Sequence, residues 1–479
     1  MSEPLWTLPA LAAATGGRIV GSPAARIDGV SIDSRTLAPN DAFFAIHGDV
    51  HDGHAFAAAA LAKGAAVAIV AEEKLAALPA NGRYLVVDDV LEALRRAGIA
   101  ARARSKARIA AVTGSVGKTT TKEALRLALS ESGKVHASVA SFNNHWGVPL
   151  TLARMPADVD FAVFEIGMNH AGEITPLTKM VRPHVAIVTT VAPVHLEFFD
   201  SVEDIARAKA EIFLGLEPRG VAVINGDIPY TGILIEAAGR AGAARIVTFG
   251  ETPGLDARLE AVSLKTGFST LRATVLGEAV TVKVGAPGRH MAVNALAVLA
   301  ATVALGADLA RASLALANLS AQKGRGARVV LSVGRGEAVL IDESYNANPA
   351  SMRAALDLLA QTPVGLRGRR IAVLGDMLEL GETGPSLHAE LAGPIATAQV
   401  DKVFCAGPLM RALWQHLPAE RRGAYAEQSK DLESILLNDI GPGDAVMIKG
   451  SLGSRMGPLV DALRARFTAA ISDPEDLTA

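Results

Sequence analysis

The run Thr113-Gly114-Ser115-Val116-Gly117-Lys118-Thr119 carries the clearest chemistry in the chain. A glycine loop can turn its backbone N–H groups inward onto phosphate oxygens, and a helix starting at its end adds a favourable dipole. Lys118 is then placed for the outer phosphates and the Thr119 hydroxyl for Mg²⁺. The apolar run 109–112 predicts a strand before the loop. Leu125, Ala128 and Leu129 at helical spacing, with a stop at Gly133, predict a helix after it. The strict motif has glycine five residues before the second glycine; Val112 stands there, so the loop is a short variant. The pattern announces a nucleoside triphosphate but no one reaction, because kinases, GTPases, motors and ligases share it. The Asn-Lys-x-Asp base signature of a GTPase is absent.

Further polar residues follow apolar runs, where ligands gather in parallel sheets. Glu165 closes the run 161–164, His195 follows 185–191, and Asn225-Gly226-Asp227 follows 221–224. Glu165 and His195, at ends of neighbouring strands, are placed for a second cation. Read locally, His195 is a hydrogen-bonded loop histidine, and Mg²⁺ prefers oxygen. Ser141-Phe142-Asn143-Asn144-His145 forms another polar loop. Lys209 reads as a solvated helix lysine; in an interior it would have to be paired, neutral or chemically modified. Asp33-Ser34-Arg35 offers a hydroxyl and a guanidinium to an anion such as a diphosphate, or else is a turn capped by Asp33 or Ser34. His290 and Asn294 share a helical face and read locally as a cap and a surface amide. Lys323-Gly324-Arg325-Gly326 looks like a linker with a basic tip. Asp342 ends a strand, Glu343-Ser344-Tyr345-Asn346-Ala347-Asn348-Pro349 is a polar loop, and Ser351 is expected to cap the next helix.

The elements that must hold these residues fall into three α/β regions. Residues 1–106 alternate Ala/Leu-rich helical stretches with short strands. Residues 107–323 carry apolar strands at 109–113, 161–166, 185–191, 221–224 and 245–249, as in a doubly wound, mostly parallel sheet covered on both faces. An antiparallel insert is expected over 259–284, with turns at Gly267 and Gly277. Residues 324–479 again alternate, with buried strands at 371–374, 402–406 and 445–448, in a Rossmann-like pattern. A chain of 479 residues is too long for one core. A net charge of −2 and 4% aromatics give nucleic acid neither a basic face nor stacking surfaces. The single cysteine, Cys405, excludes a disulfide framework and reads as a buried strand residue. The N-terminus lacks the marks of a signal peptide, and no apolar run reaches the roughly 18 to 20 residues of a membrane span. A soluble cytoplasmic protein is expected.

In order, TGSVGKTTTKE, FEIGMNHAGEI, VHLEFF, KAEIF, GRHMAVNALA, DESYNANPASM, GDMLELGE and KGS resemble the Mur ligase family, ATP-dependent amide synthetases of peptidoglycan assembly. The resemblance spans all three regions. DESYNANPASM with GDMLELGE is similar to the branch that joins D-alanyl-D-alanine to UDP-N-acetylmuramoyl-tripeptide. The Asp-Asn-Pro-Arg signature of the branch adding a diamino acid is absent.

The resemblance implies a UDP-sugar-binding domain over 1–106, an ATP-binding domain over 107–323, and a domain over 324–479 that closes on ATP and takes the dipeptide. Gly114, Ser115, Val116, Gly117, Lys118, Thr119 and Thr120 would hold the ATP phosphates. Thr119, Glu165 and His195 would serve two Mg²⁺ ions together with Lys209, carbamylated by CO₂. His290 and Asn294 would contact the nucleotide, Arg325 would reach its phosphates, and Asp342 its ribose. Tyr345, Asn346 and Asn348 would close the site. Ser34 and Arg35 would bind the UDP end, Asn143 and Asn144 would line the route to the γ-phosphate, and Lys449 and Ser451 would face the dipeptide. An acyl-phosphate mechanism in a monomer follows, with Lys106–Ala107 and Gln322–Gly326 as hinges. The alternatives are folylpolyglutamate synthase, another Mur ligase, and a binding protein that kept the fold without turnover.

Overall fold

The structure, a computed structural model, describes residues 3–48, 51–139, 141–194, 196–265 and 267–468. Its centre is a nine-stranded sheet around the strand Arg108–Thr113. On one side of that strand lie Val185–Val188, Val221–Asn225, Arg245–Gly250 and Ala257–Leu264; on the other lie Phe161–Glu165 and Val135–Ala137. These pairings are all parallel. Ser269–Val275 and Glu278–Val284 then extend the edge as an antiparallel meander.

Side chains alternate across a strand, so the apolar run before the loop feeds two cores at once. Ala110 and Val112 face the helices Lys118–Ser130 and Arg289–Ala304, while Ile109 and Ala111 face the opposite core with Val148, Ile174, Ile205 and Leu234. This two-sided burial explains why the strands read as unbroken apolar runs. Val112, where the strict motif has glycine, is a fully buried member of the first core.

The flanking regions each have a sheet of their own. In the first, the strand order is Arg18–Val20, Tyr84–Val87, Val67–Ala71, Asp41–Phe44, Gly29–Ser31, and only the Arg18–Val20 edge is antiparallel. In the third it is Ala327–Val333, Gly336–Glu343, Ala445–Lys449, Arg370–Gly375, Lys402–Ala406, Arg422–Ala426, with only the first pair antiparallel. The helix Pro349–Ala360 is capped by Asn348, whose side chain accepts from the Ser351 N–H at 2.9 Å. Ser351, expected as the cap, instead completes a reciprocal capping box, because Pro349 takes the first helical position.

The expected hinge at Lys106–Ala107 is no free tether. Ala107 is buried, and on the helix Val90–Arg104 before it Arg102 donates to the carbonyls of Val181 and Arg182. Leu150 and Ala153 of the central region sit in the core of the first. Trp6 Nε1 donates to Ala153 O at 2.8 Å, and the Arg104 guanidinium lies 3.8 Å over the Trp6 ring. The first region is thus docked on the central one through a shared core. Trp6→Ala should destabilise this docking by about 3–5 kcal/mol, read by denaturant unfolding as an earlier transition. An unchanged midpoint would show that the ring holds nothing together.

Candidate active site

The strand order sets the site. Arg108–Thr113 runs between Phe161–Glu165 and Val185–Val188, so the loop after it emerges with Glu165 on one side and residues 189–194 on the other. Glu165 and His195 were expected on neighbouring strands. Instead their strands flank the loop strand; His195 itself lies outside the described residues.

Two glycines shape the loop. Gly114 has φ +149°, and a Cβ there would lie 2.0 Å from Thr189 Oγ1. Gly117 has φ +86°, and its Cβ would lie 2.7 Å from Asn294 Nδ2. Neither position tolerates a side chain. Thr189 Oγ1 donates to Val116 O at 2.6 Å, Ser115 N–H donates to Thr190 O, and Ser115 Oγ both donates to Ala192 O and accepts from Ala192 N–H. The loop is therefore clamped to the next strand's exit before any ligand arrives. Lys118 Nζ donates to Gly114 O at 2.6 Å.

Above the loop lies a cavity of about 640 Å³, walled by the central and third regions together. That volume suits a nucleotide-sized ligand. Glu165 is 1% exposed; its Oε1 accepts from Asn143 Nδ2 at 2.8 Å, while Oε2 is buried with no hydrogen-bond partner among the described residues. A carboxylate oxygen can only accept, and burying it unpaired is unfavourable, so this atom is arranged for a cation. Thr119 Oγ1, also buried, meets Ser141 Oγ at 3.3 Å. Among the described residues no three His, Cys, Asp or Glu side chains are grouped to hold a metal. A hydroxyl and one carboxylate fit Mg²⁺, which keeps waters and takes phosphate oxygens.

Positive charge dominates the floor. Burial depresses the Lys118 pKa, with the Arg325 charge adding to the effect and Glu165 opposing it. Lys209, on the helix Val202–Ala210, is 2% exposed and has no hydrogen-bond or ion-pair partner among the described residues. Burial, then the Lys118 charge, lowers its pKa well below that of an ordinary lysine. Burial therefore favours the neutral amine over the ammonium at this position.

The third region contributes Arg325, whose guanidinium lies 4.2 Å over the Tyr345 ring and whose Nη2 donates to Ser141 Oγ at 3.2 Å. Lys449 Nζ donates to Asn346 O at 2.8 Å and pairs with Glu343 Oε2 at 3.2 Å. His290, Asn294, Tyr345, Asn346, Asn348 and Lys449 all line the cavity, as do Ser115 through Thr120 and Asn143.

Other expected residues are used elsewhere. Asp342 is 1% exposed, and its carboxylate accepts from Gly324 N–H, Ser344 N–H and Ser344 Oγ, so it braces the linker and does not line the cavity. Alternation along Gly336–Glu343 turns the next residue, Glu343, to the cavity instead. Asn144 Oδ1 accepts from Gly147 N–H at the start of the helix Gly147–Ala153. Ser451 is buried, accepting from Leu378 N–H and donating to Ala347 O. Ser34 and Arg35 stand apart from the cavity in the first region. There Arg35 is paired with Asp33, and that hydrogen bond holds the Asp33 carboxyl down at about 2. Ser141, Thr189 and Glu343 are among the cavity-lining residues not singled out by sequence. The polar loop around Ser141 and the period-two pattern before Glu343 were the available signals.

A phosphate loop on a doubly wound sheet, roofed by a third α/β region and backed by a buried lysine, defines a nucleotide-dependent group-transfer protein. Comparison with known proteins narrows this class. The Mur ligase family, catalytic domain, matches residues 26–111; the Mur ligase middle domain matches 112–302; the Mur ligase, glutamate ligase domain, matches 324–452. The chain is 32% identical to the UDP-N-acetylmuramoyl-tripeptide–D-alanyl-D-alanine ligase of Rickettsia prowazekii, over 95% of this chain and 99% of that one. Its fold is similar to MurF from Acinetobacter baumannii, with a TM-score of 0.83 and 31% identity, covering 96% of this chain and 99% of that one. MurF from Thermotoga maritima in complex with ADP gives 0.75 and 26%, covering 91% and 97%. The chain belongs to the Mur ligase family. Within it the chain is of the MurF type, a ligase of peptidoglycan-precursor assembly.

The buried amine has a measurable signature. Lys209 titrates at an ordinary lysine value when unfolded and lower when folded, so between those values the unfolded chain binds a proton that the folded one does not. Stability then falls as pH drops below about 10.4. In CO₂-free buffer Lys209→Met should be more stable than the native chain at neutral pH, with the gap closing as pH rises past that value. Thermal unfolding across pH checks this; a native chain at least as stable at neutral pH would contradict it.

Proposed function

We propose that the chain joins D-alanyl-D-alanine to UDP-N-acetylmuramoyl-tripeptide at the expense of ATP, releasing ADP and phosphate, as a cytoplasmic monomer. The observation that carries this reading is the buried Glu165 oxygen, without a hydrogen-bond partner among the described residues, beside the glycine loop and a buried Lys209 whose pKa is pushed down. Similarity to MurF-type ligases over nearly the whole chain supports the substrates.

A carboxylate is a poor acyl donor because its leaving group would be oxide. Attack of a carboxylate oxygen on the γ-phosphorus of ATP, with ADP leaving, gives an acyl phosphate whose leaving group is phosphate. Both reactants are anions. Lys118 on the transferred phosphate, and Arg325 from the third region, offset the repulsion and stabilise charge in the transition state. The loop N–H groups of residues 114–120 orient the triphosphate, and Asn294 and His290 hold its nucleoside end. Thr119, Glu165, His195 and a carbamylated Lys209 would hold Mg²⁺, which would supply Lewis-acid charge. The neutral amine of the dipeptide then attacks the acyl carbon, loses its extra proton, and phosphate departs from the tetrahedral intermediate. Lys449 and Glu343 hold the Asn346 loop on the side where the dipeptide enters. Ser34 and Arg35 grip the UDP end. Exclusion of water protects the acyl phosphate, with Gln322–Gly326 as the hinge of the closing third region.

Phosphate release from ATP should require both the UDP-muramoyl tripeptide and D-alanyl-D-alanine. Release that ignores the dipeptide would overturn the substrate assignment. Lys209→Ala should lose activity and regain part of it with a short carboxylic acid, while intact protein incubated with bicarbonate should gain the mass of one CO₂. Full activity in the alanine variant would remove the carbamate role.

A further inference from the structure

One hydroxyl joins the two walls of the cavity. Ser141 Oγ lies 3.3 Å from Thr119 Oγ1 at the end of the phosphate loop and accepts from Arg325 Nη2, 3.2 Å away on the linker to the third region. The guanidinium is otherwise fixed by the Tyr345 ring 4.2 Å beneath it. Arginine can only donate and a serine hydroxyl has lone pairs to spare, so Ser141 must accept from Arg325. Its own O–H remains free for Thr119. The same loop carries Asn143, which holds Glu165 Oε1, and Gly167 N–H anchors it by donating to Asn143 O at 2.8 Å. A single short loop thus touches the phosphate-loop threonine, the buried carboxylate and the arginine of the closing region.

We propose that Ser141 is a positioning residue that registers Arg325 against the phosphate loop, so that the arginine is aimed when the third region is closed. This rests on the ligase reading above. Ser141 adds no charge and makes no bond to a reacting atom; it fixes where a charge stands. An arginine held at one edge and one face keeps its remaining donors directed at the phosphates, and it loses less freedom when the transition state forms. Removing the hydroxyl leaves the ammonium of Lys118 and the loop backbone intact. Its effect should therefore fall on turnover more than on nucleotide affinity.

The test is a double-mutant cycle on the full chain with ATP, tripeptide and dipeptide, using Ser141→Ala, Arg325→Ala and the pair, alongside equilibrium binding of ADP. Ser141→Ala should lower kcat by about tenfold, the size of a lost hydrogen bond to a charged group, with ADP affinity changed by less than about threefold. The double variant should be no slower than Arg325→Ala alone, because the hydroxyl acts only through the arginine. Ser141→Thr, which keeps the hydroxyl, should recover most of the loss. Multiplicative losses in the pair would overturn the proposal. So would a threonine variant as slow as the alanine one, or an ADP affinity that falls as far as kcat. Thermal midpoints within a degree or two of the native chain show that each variant is folded; if Ser141→Ala is not, the threonine variant decides. If the native chain itself releases no phosphate with these substrates, the ligase reading fails; a native chain that turns over without coupling in the cycle sinks only the Ser141 proposal.

Discussion

Gathering positive charge beside a buried carboxylate oxygen that has no hydrogen-bond partner among the described residues is the constraint on which the cavity depends. Lys118, Arg325 and Lys209 converge on the phosphate loop, and Glu165 is the acidic group that opposes the depression of Lys118. Leaving a buried charge without a partner costs several kcal/mol, and proteins answer by shifting the group's pKa or by binding a counter-ion. Lys209 takes the first course, its pKa pushed down by burial. Lys118, its pKa also depressed by burial, and Arg325 point to the second: on the proposed function, the anions they meet would be those of a triphosphate and a carboxylate substrate. Glu165 Oε2 is suited to the opposite, a cation. On the proposed function, such a site would bind metal, nucleotide and acid as a set, because each arrival would relieve what the others leave uncompensated.

The scaffold makes that arrangement possible. A parallel sheet buried on both faces gives strands whose ends are stiff and whose exits lie side by side, and the loop emerges between two of them. The two glycines let the backbone approach Thr189 and Asn294 more closely than any side chain would permit. The first region is fixed to this sheet through a shared core around Trp6 and Leu150, whereas the third reaches the cavity through Arg325, Tyr345 and the loop after Glu343. The two flanking regions therefore play different mechanical parts. One is a docked wall and the other a roof on a short glycine-bearing linker.

Much of this was legible in the sequence wherever one residue type has one physical use. Glycines before Gly-Lys-Thr, apolar runs ending in Glu165 or Asn225, and alternation with Gly277 in the meander each located an element within a residue or two. Lys209 was ambiguous, and packing decided it: helical spacing alone cannot say which face meets a core. Asp342 and Glu343 show a subtler ambiguity. Both are acidic and adjacent, and only the strand's register decides which braces the linker and which faces the cavity. Asn144, Ser451 and Ser351 share another feature. Their side chains satisfy nearby backbone groups, a local use that a polar motif does not distinguish from ligand contact. The rigid first junction was hidden because a buried interface formed by residues about 150 apart leaves no mark on either segment.

The central claim is that the cavity brings a substrate carboxylate to the γ-phosphate of ATP. It is tested most directly by labelling both carboxyl oxygens of the tripeptide's terminal acid with ¹⁸O and running the complete reaction. One labelled oxygen should appear in the released phosphate and the other in the new amide. Phosphate free of label would mean that no acyl phosphate forms, and would contradict the account.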